Sequence, residues 1–456
     1  MLIDGHMSEQ ELDREVQAWG RRLARGSRAA TARTPAALAE RRLMRTVIAD
    51  PRLRAALFRF VDVRPACRDR RDLVRHLQEY MAEAGDSSRA ARRLATLLAR
   101  PALSPPAGAA AALGVAAMAH RFIAGQDAGA AEGELTALWD SGRCATLDLL
   151  GEATLTEREG DAYAARCATT LRALTALSGG WQTQPLLEQD GLGPLPRANL
   201  SVKVSALTPH LRANAPARAL EAARGRLLEL LRLARDLGAH LHVDMESLDT
   251  RESITELVLE LLSLDEFAAG PSAGIVLQGY LTDSDEELDR LLAWLGEQPR
   301  SAPFTVRLVK GAYWDHEAVL AAQHGWQVPV FTNRRSCDRH YEHLTRRLLD
   351  ARAGGLALRP AIASHNLRSL AHALAYSDSL GLPADAVELQ VLRGLGDETG
   401  AAIAAAGRRV RVYCPVGDLV AGMAYLVRRL LENTSNDSFL AAQTTGAGLD
   451  LLLTRP

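Results

Sequence analysis

The sequence has few cysteines, and they form no pattern that would bind a metal ion. The five, which are widely scattered and include no CxxC pair, are Cys67, Cys144, Cys167, Cys337 and Cys414. This spacing excludes a disulfide framework and a structural zinc site. We therefore expect no metal and a reducing, cytoplasmic setting.

Neither an excess of one charge nor a long apolar run is present. The 54 Lys and Arg residues balance 55 Asp and Glu residues, for a formal net charge of −1. A nucleic-acid-binding domain would need basic residues to neutralise phosphates, so we expect no nucleic-acid partner. No stretch of about 18 uncharged apolar residues occurs, and no basic region followed by an apolar run opens the chain. The sequence predicts a soluble protein that at most touches a membrane surface.

The chain also lacks the GxGxxG fingerprint that follows the first strand of a doubly wound dinucleotide-binding domain. The nearest segments, GLGPL at 191–195 and GLGDETG at 394–400, have the wrong spacing. This absence matters because much of the chain alternates short apolar runs with amphipathic segments. A doubly wound sheet is the main rival to a barrel for such a pattern.

Residues 1–140 are predicted to form an N-terminal helical arm and helical domain. From about residue 8 the sequence is rich in Ala, Leu and Arg, with apolar residues three or four positions apart, as in Leu53, Leu57 and Phe60. The character of the sequence changes near residue 141. At 456 residues the chain has room for this domain and for one barrel of ~250 residues.

Residues 141–456 are predicted to form an α/β domain, a (β/α)8 TIM-type barrel with a final helix over its C-terminal face and a tail. Eight apolar, β-branched runs alternate with segments of helical periodicity, such as ARALEAARGRLLELLRLARDLG, whose closing Gly238 suits a helix C-cap. Eight strands joined by helices favour parallel pairing and a closed barrel. The runs are CATLDLLGEA, ANLSVKVSAL, AHLHVDMES, AGIVLQGYL, PFTVRLVKGAYW, PAIASHN, AVELQVL and RRVRVYCPVG.

Polar residues cluster at the ends of these runs, where the loops of such barrels carry the chemistry. The most informative segment is TVRLVKGAYWDHE at 305–317. Its two cations, Arg307 and Lys310, its Gly-Ala pair and its two aromatics together suit a planar anionic cofactor, because glycine lets a ligand approach the backbone closely. The alternative for Arg307 is a buried ion pair within the barrel.

A helix predicted after Pro415 and Gly417 carries two adjacent arginines. Arg428 and Arg429 point about 100° apart on such a helix, so both guanidinium groups can bind one carboxylate. Alternatively, one binds substrate while the other pairs with the protein. The ordinary interpretation of adjacent arginines is the solvated face of an amphipathic helix.

Two carboxylates, Asp244 and Glu152, directly follow apolar runs. They are interpreted as a general base and a gate, or as counter-ions for Arg428, Arg429 and Lys203. Paired carboxylates also occur in glycosidases, a common occupant of this fold, so a glycosidase is the second functional class and a non-catalytic barrel the third. His365 and Asn366 have no second His or Cys at ligand spacing and are interpreted as hydrogen-bond partners of a cofactor.

Several segments resemble the proline dehydrogenase domain of the bifunctional bacterial proline utilisation (PutA) proteins. RLVKGAYWD at 307–315 and AYLVRRLLEN at 424–433 carry the resemblance most specifically, and LGEA, SVKVSAL, LQGYL, SHN and YCPVG follow the family's order. The resemblance covers about residues 140–440, and LFRFVDV at 57–63 resembles the domain that precedes the barrel in those proteins. Residues 434–456 diverge, and no segment resembles the family's aldehyde dehydrogenase domain or the ribbon-helix-helix domain of some members.

The resemblance implies which residues surround the substrate, L-proline, and which hold the cofactor, non-covalently bound FAD. The residues implied for the substrate are Lys203, Arg428 and Arg429 at its carboxylate, Asp244 nearby, Glu152 paired with Arg428, and Leu308, Tyr313 and Tyr413 around the ring. The residues implied for FAD are Gln278, Arg307, Val309, Lys310, Gly311, Ala312, Trp314, Thr332, His365, Asn366, Gln390 and Glu432.

The implied activity is oxidation of L-proline to Δ1-pyrroline-5-carboxylate by hydride transfer to flavin N5, the first step of proline catabolism to glutamate. A quinone is implied as electron acceptor, which predicts a cytoplasmic enzyme with a peripheral contact on the inner face of the cytoplasmic membrane. The pathway partner is an aldehyde dehydrogenase domain or a separate pyrroline-5-carboxylate dehydrogenase. Cations at the proline carboxylate are also expected on physical grounds, because a small zwitterion in an apolar pocket needs its carboxylate neutralised by fixed cations.

Overall fold

The structure, a computed structural model, describes residues 7–30, 50–63, 66–86, 88–100, 120–151, 154–211, 216–298, 300–418, 422 and 448–456. In these ranges the helices are Glu9–Ala30, Pro51–Val63, Arg70–Ala84, Arg89–Leu98, Glu132–Asp140, Glu157–Gly179, Pro185–Glu188, Val204–Leu207, Pro216–Asp236, Leu248–Leu262, Ser284–Glu297, Trp314–His324, Arg334–Ala353, Leu367–Ser379, Asp397–Ala405 and Leu449–Leu452, with a 3₁₀ turn at Asp265–Phe267. The helical character predicted for the N-terminal region is confirmed in its described parts.

The strands form a closed barrel and one small hairpin. They are β1 (Cys144–Leu149), β2 (Gln189–Asp190), β3 (Gly193–Pro194), β4 (Asn199–Lys203), β5 (His240–Asp244), β6 (Ser272–Gln278), β7 (Phe304–Val309), β8 (Leu358–Ala363), β9 (Glu388–Leu392) and β10 (Val410–Val416). The barrel order is β1-β10-β9-β8-β7-β6-β5-β4, and neighbouring barrel strands pair in parallel. Every barrel strand overlaps one of the predicted runs, although β6 begins one residue and β8 two residues before its run. This agreement confirms the (β/α)8 barrel.

Local signals in the sequence set the ends of the helices between these strands. Thr156 and Glu159 form a capping box at the start of helix Glu157–Gly179, because each side chain accepts a hydrogen bond from the other residue's backbone N–H. Helix Pro216–Asp236 ends as predicted, since Gly238 has a φ of 61°, which glycine adopts without strain. After Gly238 the chain enters β5 at His240.

The hairpin of β2 and β3 lies at the amino-terminal ends of the barrel strands and was not predicted from the sequence. Its Asp190 carboxylate accepts two hydrogen bonds, at 2.9 and 3.0 Å, from the guanidinium of Arg359 at the start of β8. Arg359 also donates to the carbonyl oxygens of Gly193 and Pro194, both at 3.0 Å. The GLGP sequence at 191–194 therefore forms a turn held by a buried arginine.

The domain boundary predicted at residues 140 and 141 stays a prediction. By their packing, the residues divide into a barrel unit, formed by Met1–Ala30, Asp127–Val416 and Leu453–Pro456, and a second unit, formed by Thr31–Gln126 and Gly417–Leu452. The barrel unit thus includes the first helix of the chain.

That first helix, Glu9–Ala30, packs against helices Leu367–Ser379 and Asp397–Ala405 of the barrel unit. Its buried side chains recur every three or four residues, as expected of an amphipathic helix, and include Leu12, Val16, Trp19 and Leu23. The Trp19 indole Nε1 also donates a hydrogen bond to Asp378 Oδ2 at 3.0 Å.

The final helix predicted over the C-terminal face lies outside the described residues. So does the tail predicted from residue 434, except for residues 448–456, which include the short helix Leu449–Leu452. None of the helices that the structure describes combines the length and the apolar character needed to cross a bilayer.

Candidate active site

The carboxyl ends of the barrel strands bring five polar side chains into one network of hydrogen bonds and ion pairs. They are Asp148 of β1, Lys203 of β4, Asp244 of β5, Arg307 of β7 and Tyr413 of β10. Alternation along the strands places these side chains inside the barrel rather than against the surrounding helices. The sequence predicted all of them as strand-end site residues except Asp148.

Asp244 lies at the centre of this network. Its Oδ1 accepts a hydrogen bond from Arg307 Nη1 at 2.7 Å, and its Oδ2 accepts one from the Tyr413 hydroxyl at 2.6 Å. Lys203 Nζ lies 3.4 Å from the same Oδ2. Because two cations and a phenol bind this carboxylate, the geometry favours the counter-ion interpretation of Asp244 over that of a free general base.

Lys203 bridges two carboxylates, Asp148 and Asp244. Burial opposes the charge on the ammonium, but the two carboxylates outweigh it and raise the pKa of Lys203 above its ordinary value. The lysine therefore stays a cation at neutral pH. The sequence carried a signal for Asp148, an acid inside the apolar run CATLDLL, but Asp148 was not among the predicted site residues.

Arg307 is only 3% exposed, yet it reaches the same network. Its Nη1 donates to Ser201 Oγ at 3.1 Å as well as to Asp244, and its guanidinium lies 5.3 Å from the centre of the Tyr413 ring. Its Nε is buried and has no hydrogen-bond partner within the described part of the chain. The predicted alternatives thus coexist, since Arg307 forms a buried ion pair and keeps one donor for a ligand.

Tyr413 stays protonated in this surrounding. Burial and the nearby carboxylates of Asp148 and Asp244 raise the pKa of its phenol well above the ordinary value. Its hydroxyl therefore acts as the donor to Asp244. The side chain is also partly exposed, so the ring can contact a ligand at this end of the barrel.

The loop that follows β7 passes against Tyr280. Gly311 has a φ of 132°, and a Cβ at this position would lie 2.1 Å from the Tyr280 ring. The backbone N–H of Tyr280 donates to Lys310 O at 2.7 Å, and Tyr313 packs against the same buried tyrosine. The close approach that glycine permits is therefore made by a tyrosine of the protein itself, and not only by a ligand as predicted.

Lys310 has a carboxylate partner that the sequence analysis missed. Its ammonium pairs with Asp338 and lies 5.7 Å from the centre of the Tyr341 ring. Asn366 Nδ2 also donates to Asp338, at 3.5 Å, while the Asn366 side-chain oxygen caps the helix that follows. Asp338 lies on helix Arg334–Ala353, so nothing in a strand-end pattern could have indicated it.

Gln278 and Glu246 meet at the ends of β5 and β6. Gln278 Nε2 donates to the backbone carbonyl of Glu246 at 2.7 Å, and Gln278 Oε1 is buried with no partner among the described residues. Burial raises the pKa of Glu246, although Ser205 and Lys203 oppose the shift. The sequence analysis did not select Glu246, which lies two residues after Asp244 in the same loop.

Two further predicted cofactor residues make contacts within the protein. His365 Nε2 accepts a hydrogen bond from the backbone N–H of Leu392 at 3.0 Å, which holds its ring beside the end of β9. Gln390 Nε2 donates to Glu388 Oε1 at 2.7 Å, in the same strand. The amide of Gln390 is thus turned towards the amino-terminal half of the barrel interior.

The other residues predicted to bind substrate or cofactor lie outside the polar network around Asp244 or outside the described residues. Leu308 is fully buried and, by strand alternation, lies on the opposite face of β7 from Arg307, so it does not join the polar network. Val309 is half-buried, and Ala312 and Thr332 are exposed. Trp314 is 41% exposed and donates from Nε1 to the Phe331 carbonyl at 2.9 Å. Glu152, Arg428, Arg429 and Glu432 lie outside the described residues.

Comparison with known proteins places this site in a family. The family described as "Proline dehydrogenase" matches residues 131–442, and that described as "Proline utilization A N-terminal domain" matches residues 13–122. The chain belongs to the proline dehydrogenase family. The predicted resemblance to this domain of the PutA proteins is therefore confirmed.

Solved and curated relatives agree with this assignment. A structure of proline utilization A from Bdellovibrio bacteriovorus, inactivated by N-propargylglycine, is 33% identical, with a TM-score of 0.86 over 97% of this chain and 44% of that one. The bifunctional protein PutA of Salmonella typhimurium is 32% identical over 71% of this chain and 24% of its own length. Proline dehydrogenase 1 of Bacillus subtilis is 28% identical over 71% of this chain and 89% of its own. This proline dehydrogenase family chain thus spans about a quarter of the PutA relative.

Proposed function

We propose that the chain oxidises L-proline to Δ1-pyrroline-5-carboxylate with non-covalently bound FAD and passes the electrons to a quinone, as the first step of proline catabolism to glutamate. The observation that carries the proposal is the network around Asp244, which holds Lys203, Arg307 and Tyr413 at the carboxyl ends of a barrel of this family. A small amino acid needs such fixed charges to leave water.

The residues at this face fit a large cofactor rich in hydrogen-bonding groups. Gln278 Oε1 and Arg307 Nε are buried polar atoms without partners in the part of the chain that the structure describes, and such atoms normally have one. FAD, when bound, would supply the acceptor for the hydride, which carries both electrons of the oxidation. The residues proposed to hold it are Gln278, Arg307, Val309, Lys310, Gly311, Ala312, Trp314, Thr332, His365, Asn366, Gln390 and, from the sequence alone, Glu432.

For the substrate carboxylate we propose Lys203 together with Arg428 and Arg429. Lys203 suits this role because its two carboxylate neighbours keep it charged while it remains partly exposed. The positions of the two arginines rest on the sequence. Fixed cations and loss of water also lower the pKa of the proline ammonium, which favours the free amine whose lone pair assists departure of the hydride.

Tyr313 and Tyr413 are proposed to pack around the pyrrolidine ring, and Asp244 to act as a positioning residue that orients Arg307 and the Tyr413 hydroxyl. The glycosidase alternative is not favoured. The chain belongs to the proline dehydrogenase family, and Asp244, one of the two carboxylates on which that alternative rested, is bound by Arg307 and Lys203.

A visible absorption spectrum tests the proposed function. We expect a yellow protein whose flavin absorbance bleaches anaerobically with L-proline and recovers when a soluble quinone is added. Lys203→Met should keep the flavin spectrum but need a much higher proline concentration, because a charge-assisted contact to a buried carboxylate costs about 2–5 kcal/mol to remove. NAD, added as a control acceptor, should not reoxidise the flavin. A colourless protein that cannot be reconstituted with FAD contradicts the proposal.

Substrate choice gives a second test, centred on Tyr413. A phenol against the ring fills space that the hydroxyl of 4-hydroxyproline would need, so the wild type should prefer proline strongly. Tyr413→Ser should reduce kcat/KM for proline by about 1–3 kcal/mol in transition-state binding while improving the relative rate with 4-hydroxyproline.

The matched control is Tyr413→Phe, which keeps the ring but loses the hydrogen bond to Asp244. If sterics set the preference, Tyr413→Phe should be slower with both substrates and keep the wild-type ratio of their kcat/KM values. An unchanged ratio in Tyr413→Ser would mean that Tyr413 is an ordinary aromatic at the barrel rim.

A further inference from the structure

The amino-terminal half of the barrel interior contains a cavity to which the proposed reaction assigns no role, although Arg307 and Gln390 of the proposed cofactor site border it. Its volume is about 20 Å³, which suffices for one occupant of about the size of a water molecule. Side chains of β5 and β7–β10 line it, together with residues that follow the hairpin of β2 and β3. The lining residues that matter here are Arg307, Arg359, Arg409, Arg411, Glu388 and His242.

Three of the four arginines that line the cavity have a carboxylate of their own. The pairs are Arg307 with Asp244 at 2.7 Å, Arg359 with Asp190 at 2.9 Å and Arg411 with Glu388 at 2.8 Å. Arg409 is the fourth and is only 1% exposed. Among the described residues, its carboxylate neighbours are Asp190 at 3.4 Å and Glu388 at 3.9 Å, both of which are bound more closely by another arginine.

The other titratable groups do not compensate for this charge. Burial, reinforced by nearby arginines, lowers the pKa of His240 and His242 well below the ordinary value, so both imidazoles are neutral. Glu388 is already ionised, because Arg411 and Arg409 overcome its burial and lower its pKa to about 2. Among the described residues, the four arginines of the cavity face three carboxylates, which leaves one positive charge uncompensated there.

Like the excess positive charge, the hydrogen-bonding groups around the cavity favour an anion as its occupant. Arg409 Nε and Arg409 Nη1 are buried and have no partner in the described ranges of the chain. Both are donors, whereas His242 Nε2, also without a partner there, is a donor or an acceptor according to its tautomer. A water molecule would bring two more hydrogens that need acceptors, while an anion only accepts.

We infer that a small monovalent anion such as chloride binds in this cavity and neutralises Arg409. A buried charge without a partner is costly, and an ion that accepts several N–H bonds removes both the charge and the unpaired donors. The anion stabilises the folded barrel and lies next to Arg307, which also belongs to the network around Asp244.

Thermal unfolding of the full chain tests this inference. The melting temperature should be about 2–4 °C higher in sodium chloride than in sodium gluconate of equal ionic strength, because gluconate is too large for the cavity. Arg409→Gln should abolish the difference between the two salts. A chloride effect of equal size in Arg409→Gln, or no difference between the salts in the wild type, overturns the inference.

The matched control is Arg300→Gln. Arg300 is also a buried arginine, but it donates to the carbonyl oxygens of Leu262, Phe267 and Pro271 and does not line the cavity. This variant should be less stable and still respond to chloride.

Crystals of the wild type soaked in bromide decide the question if Arg409→Gln does not fold. An anomalous bromide peak within hydrogen-bonding distance of Arg409 supports the site. Ordered water without anomalous signal at that position refutes it.

Discussion

Asp244→Ala is expected to remove most of the proline oxidation activity and to destabilise the barrel. The carboxylate is bound by Arg307 at 2.7 Å and lies 3.4 Å from Lys203. Its loss leaves Arg307 without a carboxylate partner among the described residues and leaves Lys203 with Asp148 alone. Removing one partner of a buried ion pair costs about 3–5 kcal/mol. If most of this free energy is lost from stabilisation of the transition state, kcat/KM should fall by a factor of roughly 10²–10³.

Urea unfolding and steady-state kinetics with a dye acceptor measure the two effects of Asp244→Ala separately. Asp244→Asn serves as the conservative variant, because its amide oxygen can still accept the Tyr413 hydroxyl hydrogen bond, and it should lose less activity. Asp285→Ala is the matched control at the surface, where Asp285 pairs with Arg347 at 2.9 Å and His343 at 3.0 Å.

The surface variant should change the free energy of unfolding by no more than about 1 kcal/mol, since exposed ion pairs contribute little. If Asp244→Ala behaves like Asp285→Ala in both measurements, Asp244 does not organise the site. A loss of stability with unchanged kcat/KM would limit Asp244 to a structural role.

The second large effect is expected at the two arginines that the sequence assigns to the substrate carboxylate. Arg428→Met and Arg429→Met should each raise KM for proline sharply, because removing one of two charge-assisted contacts to a buried carboxylate costs roughly 2–5 kcal/mol. At about 1.4 kcal/mol for each factor of ten, KM should rise by more than tenfold in either variant.

Arg93→Met is the matched control for these variants. Arg92 and Arg93 are also adjacent arginines on a helix, Arg89–Leu98, and both are exposed. The control should leave KM and kcat unchanged. Wild-type kinetics in both Arg428→Met and Arg429→Met would contradict a role in substrate binding. The two arginines would then be interpreted as part of the solvated face of an amphipathic helix, as such pairs ordinarily are.

How far the site could be predicted depended on the kind of element that carries each residue. Lys203, Asp244 and Arg307 lie at or near strand ends, and the structure brings all three together. Asp148, the penultimate residue of β1, has the same kind of position but was not predicted, because Glu152 was selected as the acid after that strand. Asp338 lies on a helix, where a pattern of strand-end residues gives no signal. Leu308 was included by resemblance, but the alternation of the strand places it away from Arg307.

The role of Gly311 illustrates a different limit. The sequence indicated that a small residue was needed after β7, and the positive φ confirms that need. It could not indicate that the Tyr280 ring fills the adjacent space, because this contact joins the ends of two neighbouring strands. A local pattern specifies a backbone conformation but not the atoms that surround it.

The sequence by itself determined the eight strands, the helices between them and the family, because periodicity, capping residues and short motifs are properties of neighbouring positions. Only the tertiary structure decided which charges share a partner. Asp190 and Arg359 are 169 positions apart, and Lys203 and Asp148 are 55 apart. Closure of the barrel brings such residues together, and burial then strengthens the attraction between their charges.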